Sequence, residues 1–127
     1  MSDKHETSSA VLVEDDEDTA QLLEFMLVRE GFIVHMARDG KEALSLIDSV
    51  KPPTIVLLDI MLPFVSGFQL LQHIRAKTKW ADTPIIMLTS KQDESVIVRA
   101  MESGASDYVL KPFNWGELIA RIKRFLK

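Results

Sequence analysis

The feature that most constrains this chain is a strict alternation between two kinds of segment. Short, nearly continuous apolar runs recur at Ala10–Val13, Phe32–Met36, Thr54–Leu58, Pro84–Leu88 and Tyr108–Leu110. Runs of this length, rich in Val and Ile and lacking a polar face, suit strands covered on both sides. Between them lie stretches with apolar residues at helical spacing. Asp18–Glu30 places Leu22, Met26 and Leu27 on one side and is followed by Gly31. Glu42–Ser49, Phe68–Ala76, Asp93–Ser103 and Trp115–Leu126 carry the same kind of stripe. Gly31 and Gly104 sit where a helix stop is expected, and Pro52-Pro53 ends the second stretch. Five strands alternating with five helices predict an α/β fold, with a five-stranded parallel sheet and helices on both faces.

A length of 127 residues fits one domain with a single core. Residues 1–8 are polar and without periodicity, and are expected to form a flexible tail; residues 9–127 form the domain. The chain has no cysteine, which excludes disulfides, thiolate zinc sites and cysteine nucleophiles. No apolar run approaches the roughly 20 residues of a membrane span, and the amino terminus lacks the apolar stretch of a signal peptide. A cytoplasmic protein with no membrane contact is the expectation. Net charge is −4, which gives no electrostatic reason to bind nucleic acid directly.

In a parallel sheet of this kind, chemistry collects at the carboxyl ends of the strands. The first run ends in Glu14-Asp15-Asp16, the third in Asp59, the fourth in Thr89-Ser90 and the fifth in Lys111-Pro112. Acid, acid, hydroxyl and amine would then share one cleft. Glu14, Asp15 and Asp59 repel one another, so the cluster requires a counterion, a shared proton or distance. Hard divalent cations take oxygen ligands, and Mg²⁺ takes one or two carboxylates while keeping several waters. An isolated acidic triplet is equally well a solvated loop that favours the start of the next helix through its dipole. Asp59 follows the most apolar strand, where a carboxylate is costly unless paired or liganded, and Lys111 is the obvious pairing cation.

Four strings carry a resemblance. They are Val11-Leu12-Val13-Glu14-Asp15-Asp16; Leu57-Leu58-Asp59-Ile60-Met61-Leu62-Pro63 with Gly67 following; Met87-Leu88-Thr89-Ser90; and Gly104 to Phe113, with Lys111-Pro112 near its end. In this order and at these separations the chain resembles the receiver domains of two-component response regulators, over Ser9 to Lys127. The resemblance implies a flavodoxin-like doubly wound (βα)5 fold. It implies that Asp59 accepts a phosphoryl group from a sensor histidine kinase or phosphotransfer protein. It implies a Mg²⁺ held by Asp15, Asp59 and the backbone carbonyl of Met61, with Glu14 contacting it through water. Lys111 and the Thr89 hydroxyl would take other phosphoryl oxygens, and Asp59 would already be ionised at neutral pH. Thr89 and Tyr108 would act as the switch, reshaping the surface made by the Asp93–Ser103 helix, the Tyr108 strand and the Trp115–Leu126 helix.

The same resemblance frames the partners. Glu102, Asp107, Glu117 and Arg121 match part of a charge pattern through which some receivers form homodimers on that surface; Ile97 and Ser106 depart from it. An output domain beyond Lys127 is compatible with the chain, as is a receiver acting by protein contact alone. Two rival readings are an aspartyl phosphatase or phosphotransferase and a phosphorylation-independent flavodoxin-like interaction module. The former places a second Asp two residues after its nucleophile, where this chain has Met61. Met61 and Lys91 are expected at the cleft mouth, modulating slow self-hydrolysis of the acyl phosphate. His5, His35 and His73 make no metal-ligand spacing, and the methionines are expected to be packing residues, as is Trp115.

Overall fold

The computed structural model describes residues 8–90 and 94–126. The elements alternate as β1 (Ser9–Val13), α1 (Glu17–Arg29), β2 (Ile33–Ala37), α2 (Gly40–Ser49), β3 (Ile55–Asp59), α3 (Gly67–Arg75), β4 (Ile85–Thr89), α4 (Glu94–Glu102), β5 (Asp107–Leu110) and α5 (Trp115–Arg124). A 3₁₀ turn at Thr78–Trp80, which periodicity does not reveal, links α3 to β4. The strands form one parallel sheet in the order β2-β1-β3-β4-β5. This is the doubly wound flavodoxin-like arrangement implied by the resemblance. No helix among the described residues is long and apolar enough to cross a membrane.

Alternation along the strands builds two cores. Val11, Val13, Val56, Leu58 and Met87 face the layer that includes Ala43, Ile47, Leu71, Ile74 and Ala100. Leu12, Leu57, Ile86, Leu88 and Val109 face the opposite layer, with Leu23, Met26, Leu27, Leu118 and Ile122. The period of two sends neighbouring side chains to opposite faces, so a strand covered on both faces must be apolar throughout. β3 and β4 are buried at every position and apolar at all but the last, where Asp59 and Thr89 stand. Leu57→Ala is expected to cost about 2–5 kcal/mol, because the site is fully enclosed and cannot collapse. Denaturant unfolding with an unchanged m-value reads that loss directly.

Several local expectations shift. β2 is an edge strand that meets both α1 and α2 yet is only partly buried, and Ile33 at its start is half exposed. In α1 the inward stripe is Ala20, Leu23, Met26 and Leu27, while Leu22 faces solvent. In α4 only Ala100 is buried, and Met101 is exposed. Of the described methionines Met26 and Met87 are core residues, whereas Met61 and Met101 are exposed. α2 begins two residues earlier than Glu42, because the Asp39 side chain accepts a hydrogen bond from the Glu42 N–H and caps the helix. The expected amino-terminal tail, apart from Ser8, lies outside the described residues, as do His5, Lys91, the Asp93 start of the fourth helix and Lys127.

Candidate phosphoacceptor site

The register of the sheet assembles the site. Val13 pairs with Leu58, so Glu14 and Asp59 emerge side by side at the carboxyl ends of β1 and β3. Asp59 lies beside Leu88 of β4, and Thr89 lies beside Leu110 of β5. The Lys111 N–H donates to the Thr89 carbonyl at 2.8 Å, which places the lysine at the same end. Asp15, Asp59, Thr89 and Lys111 therefore converge as the strand-end argument requires.

The acidic triplet divides into three roles. Glu14 is fully buried; its Oε2 accepts from the Asp16 N–H at 3.1 Å. Asp15 points to solvent. Asp16 caps α1, accepting from the Thr19 N–H at 2.9 Å and the Thr19 hydroxyl at 2.6 Å. Those bonds, the hydroxyl's first, hold its pKa below the ordinary carboxylate value. Asp16 is thus a helix cap, and the carboxylates that gather are Glu14, Asp15 and Asp59, with one oxygen from each within 4.8 Å of the others.

Asp59 is 4% exposed. Its Oδ1 accepts from the Met61 N–H at 3.1 Å and its Oδ2 from Lys111 Nζ at 3.2 Å. Lys111 Nζ also forms an ion pair with Glu14 Oε1 at 2.8 Å. One ammonium is thus shared by two buried carboxylates. Burial, and then the charge of Glu14, push the Asp59 pKa up to about 7, against the opposing pull of Lys111 and the Met61 N–H. Burial and Glu14 thus oppose ionisation of Asp59, and positive charge in the cleft favours it. Burial alone would lower the Lys111 pKa; its contact with Glu14 and the charge of Asp59 outweigh that and raise it.

The cluster fits a hard divalent cation. Three carboxylates around one ammonium leave an excess of negative charge. Thr89 is almost fully buried at the end of β4. Tyr108 is half-buried against the α2–α3 side core, with the Arg121 guanidinium 6.0 Å from its ring centre. The β3–α3 loop presses on the site from the other side. The Gly67 N–H donates to the Ile60 carbonyl at 2.9 Å, and Ser66 and Gln69 close a capping box at the start of α3. The Lys111–Pro112 peptide bond is cis. Met61 holds the place of the phosphatase's second Asp, and its side chain is exposed.

The chain matches the response regulator receiver domain family over residues 10–123. It belongs to that family. Among solved structures, the receiver fold is shared with chemotaxis response regulator CheY4 of Vibrio cholerae, at 27% identity over 94% of this chain and 99% of that one, with a TM-score of 0.88. A putative response regulator from Chloroflexus aurantiacus is 35% identical over 95% of this chain and 98% of that one, again with a TM-score of 0.88. The receiver domain of a Pseudomonas aeruginosa sensor histidine kinase, solved with a magnesium ion coordinated in its active-site cleft, is 28% identical, with 94% and 97% covered and a TM-score of 0.85. The acidic pocket of the present receiver domain is of the kind that houses the phosphoacceptor aspartate and Mg²⁺ in this family.

The i,i+4 spacing of Glu117 and Arg121 on the last helix allows them to pair, and they do so at 3.1 Å. Other features of this receiver were not legible from sequence. Arg121 is also held by Asp107 at 2.7 Å, the contact that chiefly raises its pKa. Arg75 donates to the carbonyls of Gly104 and Trp80, tying the end of α3 to the α4–β5 loop. Trp115 is not buried packing. It meets Phe25 of α1 edge-on at 6.3 Å, and both rings stay partly exposed.

Proposed function

We propose that this receiver domain, spanning residues 9–127, accepts a phosphoryl group on Asp59 from the phosphohistidine of a sensor kinase or phosphotransfer protein. The observation that carries this reading is a nearly buried carboxylate at a strand end, held between a backbone N–H and an ammonium, beside two further acids. A carboxylate oxygen of Asp59 forms the new P–O bond as the P–N bond to the donor imidazole breaks, giving an acyl phosphate. Such transfers need positioning and charge neutralisation more than proton transfer. Asp15, Asp59 and the Met61 carbonyl, with Glu14 through water, would hold Mg²⁺, which would neutralise phosphoryl oxygens when bound. A cation there also favours the ionised, nucleophilic form of Asp59. Lys111 holds a second phosphoryl oxygen and the Thr89 hydroxyl a third.

Output follows from Thr89 and Tyr108. Thr89 moves toward the new phosphoryl group, and Tyr108 turns into the space it leaves. The α4–β5–α5 surface then shifts between two states by the difference in their affinity for the phosphoryl group. That surface serves a partner, an output domain or a second copy of the chain in the cytoplasm. Dimerisation through it would require Arg121 to exchange its internal partners, Asp107 and Glu117, for those of the second copy.

Acetyl phosphate with Mg²⁺ tests the acceptor. The intact mass of the wild type should rise by one phosphoryl group, and that of Asp59→Ala should not change. Full labelling of Asp59→Ala would assign the acceptor elsewhere.

A further inference from the structure

A groove at the end of the sheet opposite the acidic cleft is lined by more basic than acidic side chains. The last turn of α2, the loop Val50–Pro52 leading into β3 and the Thr78–Trp80 turn before β4 enclose this groove, of about 440 Å³. That size falls within the range of small-molecule sites. Its apolar side is formed by Val50, Pro52 and the buried Trp80. Its polar side carries Lys51, Lys77 and Lys79 against a single acid, Asp48, in a chain whose net charge is −4.

The one acid is already engaged. Asp48 Oδ1 lies 3.0 Å from His73 Nε2 and 3.2 Å from Lys77 Nζ, contacts that hold its pKa below the ordinary value. Lys77 and Asp48 therefore cancel, while Lys51 and Lys79 make no ion pair among the described residues. The carbonyl end of α2 opposes an anion with roughly half a charge, which two ammonium groups exceed. We propose that this groove is a binding site for a small organic anion, a phosphate or carboxylate head held by Lys51 and Lys79 with an apolar or aromatic body against Val50 and Pro52. Donors around an apolar wall recognise such a ligand by both halves, the head by charge and the body by removal from water. The site is separate from the acidic cleft: it lies at the amino ends of β3 and β4 and shares no residue with that cleft.

The probe is 1-naphthyl phosphate, titrated into ¹⁵N-labelled full-length protein in EDTA so that the acidic cleft is not engaged through Mg²⁺. Amide shifts should saturate and centre on residues 47–52 and 77–80. Inorganic phosphate and 1-naphthol, each carrying one half of the chemistry, should bind at least about tenfold more weakly. The double substitution Lys51→Glu, Lys79→Glu should weaken naphthyl phosphate by at least about tenfold. The same variant should still gain one phosphoryl group from acetyl phosphate and Mg²⁺, showing that its fold is intact. Shifts centred on Phe25 and Trp115 or on Glu14 and Asp59, no saturable shift, or equal binding by the double variant would overturn the proposal. Equal affinity for either half-probe would overturn it too.

Discussion

Asp59→Asn is expected to raise the thermal midpoint of the metal-free protein by about 5–10 °C at pH 8, although it removes the proposed phosphoacceptor. The carboxylate is buried beside Glu14, and its pKa stands at about 7 in the folded chain against 3.8 for the unperturbed group. Between those values the folded state binds more protons than the unfolded one. Wild-type stability therefore falls as pH rises from about 4 to about 7, and the loss is complete above the folded value. A displacement of about three pKa units corresponds to a ceiling on the order of 4 kcal/mol. Asn keeps an oxygen for the Met61 N–H and removes the repulsion with Glu14. It also gives up the Lys111 contact, so the net gain lies below the ceiling. The difference between variant and wild type should vanish near pH 4 and open with rising pH. Added Mg²⁺ should raise the wild type and leave the variant nearly unchanged. A variant no more stable than the wild type at pH 8 in chelator, or a gap indifferent to pH, would refute the electrostatic account of the cleft.

Gly67→Ala should damage stability and phosphoryl transfer together. A methyl group at Gly67 would collide with the Asp59 carbonyl oxygen and sit 2.6 Å from the Ile60 Cα. Both obstacles are backbone, so no side chain can rotate away, and the β3–α3 connection must move. Forced overpacking of this kind costs about 1–3 kcal/mol. The displaced atoms belong to the residue that carries the carboxylate. A shift of roughly 1 Å there is worth up to about a hundredfold in rate. The midpoint of urea unfolding reads the first effect, and the rate of mass gain with acetyl phosphate reads the second. Gly116→Ala is the matched control. Its methyl group would come no nearer than 3.5 Å to the Asn114 side chain, and the position is helical and exposed. It should be neutral or stabilising by up to about 1 kcal/mol, with phosphorylation unchanged. Equal behaviour of the two variants would show that the close approach at Gly67 does not hold the acceptor in place.

What the sequence determined by itself was local. An uninterrupted apolar run such as Ile55–Leu58 can be satisfied only by cover on both faces, so the number and kind of elements were legible. Their parallel arrangement followed from the strict alternation with helices. The position of Asp59, Thr89 and Lys111 at strand ends followed from the same alternation. Periodicity could not say which of two adjacent residues faces inward: Leu22 and Leu23 differ by one helical step, and packing of α1 against the sheet chose Leu23. Nor could it rank strands by cover, because β2 becomes an edge only once the order is set.

The tertiary structure alone decided the electrostatics. Three consecutive acids look alike in the chain; the fold buried Glu14, exposed Asp15 and made Asp16 a cap. Lys111 reaches Glu14 as well as Asp59 across 97 and 52 positions of sequence. The lysines of the basic groove come from segments more than twenty residues apart. Helix and strand patterns repeat over a few residues and are written locally. The energy of a charge depends on neighbours and burial that exist only after strands distant in sequence have paired.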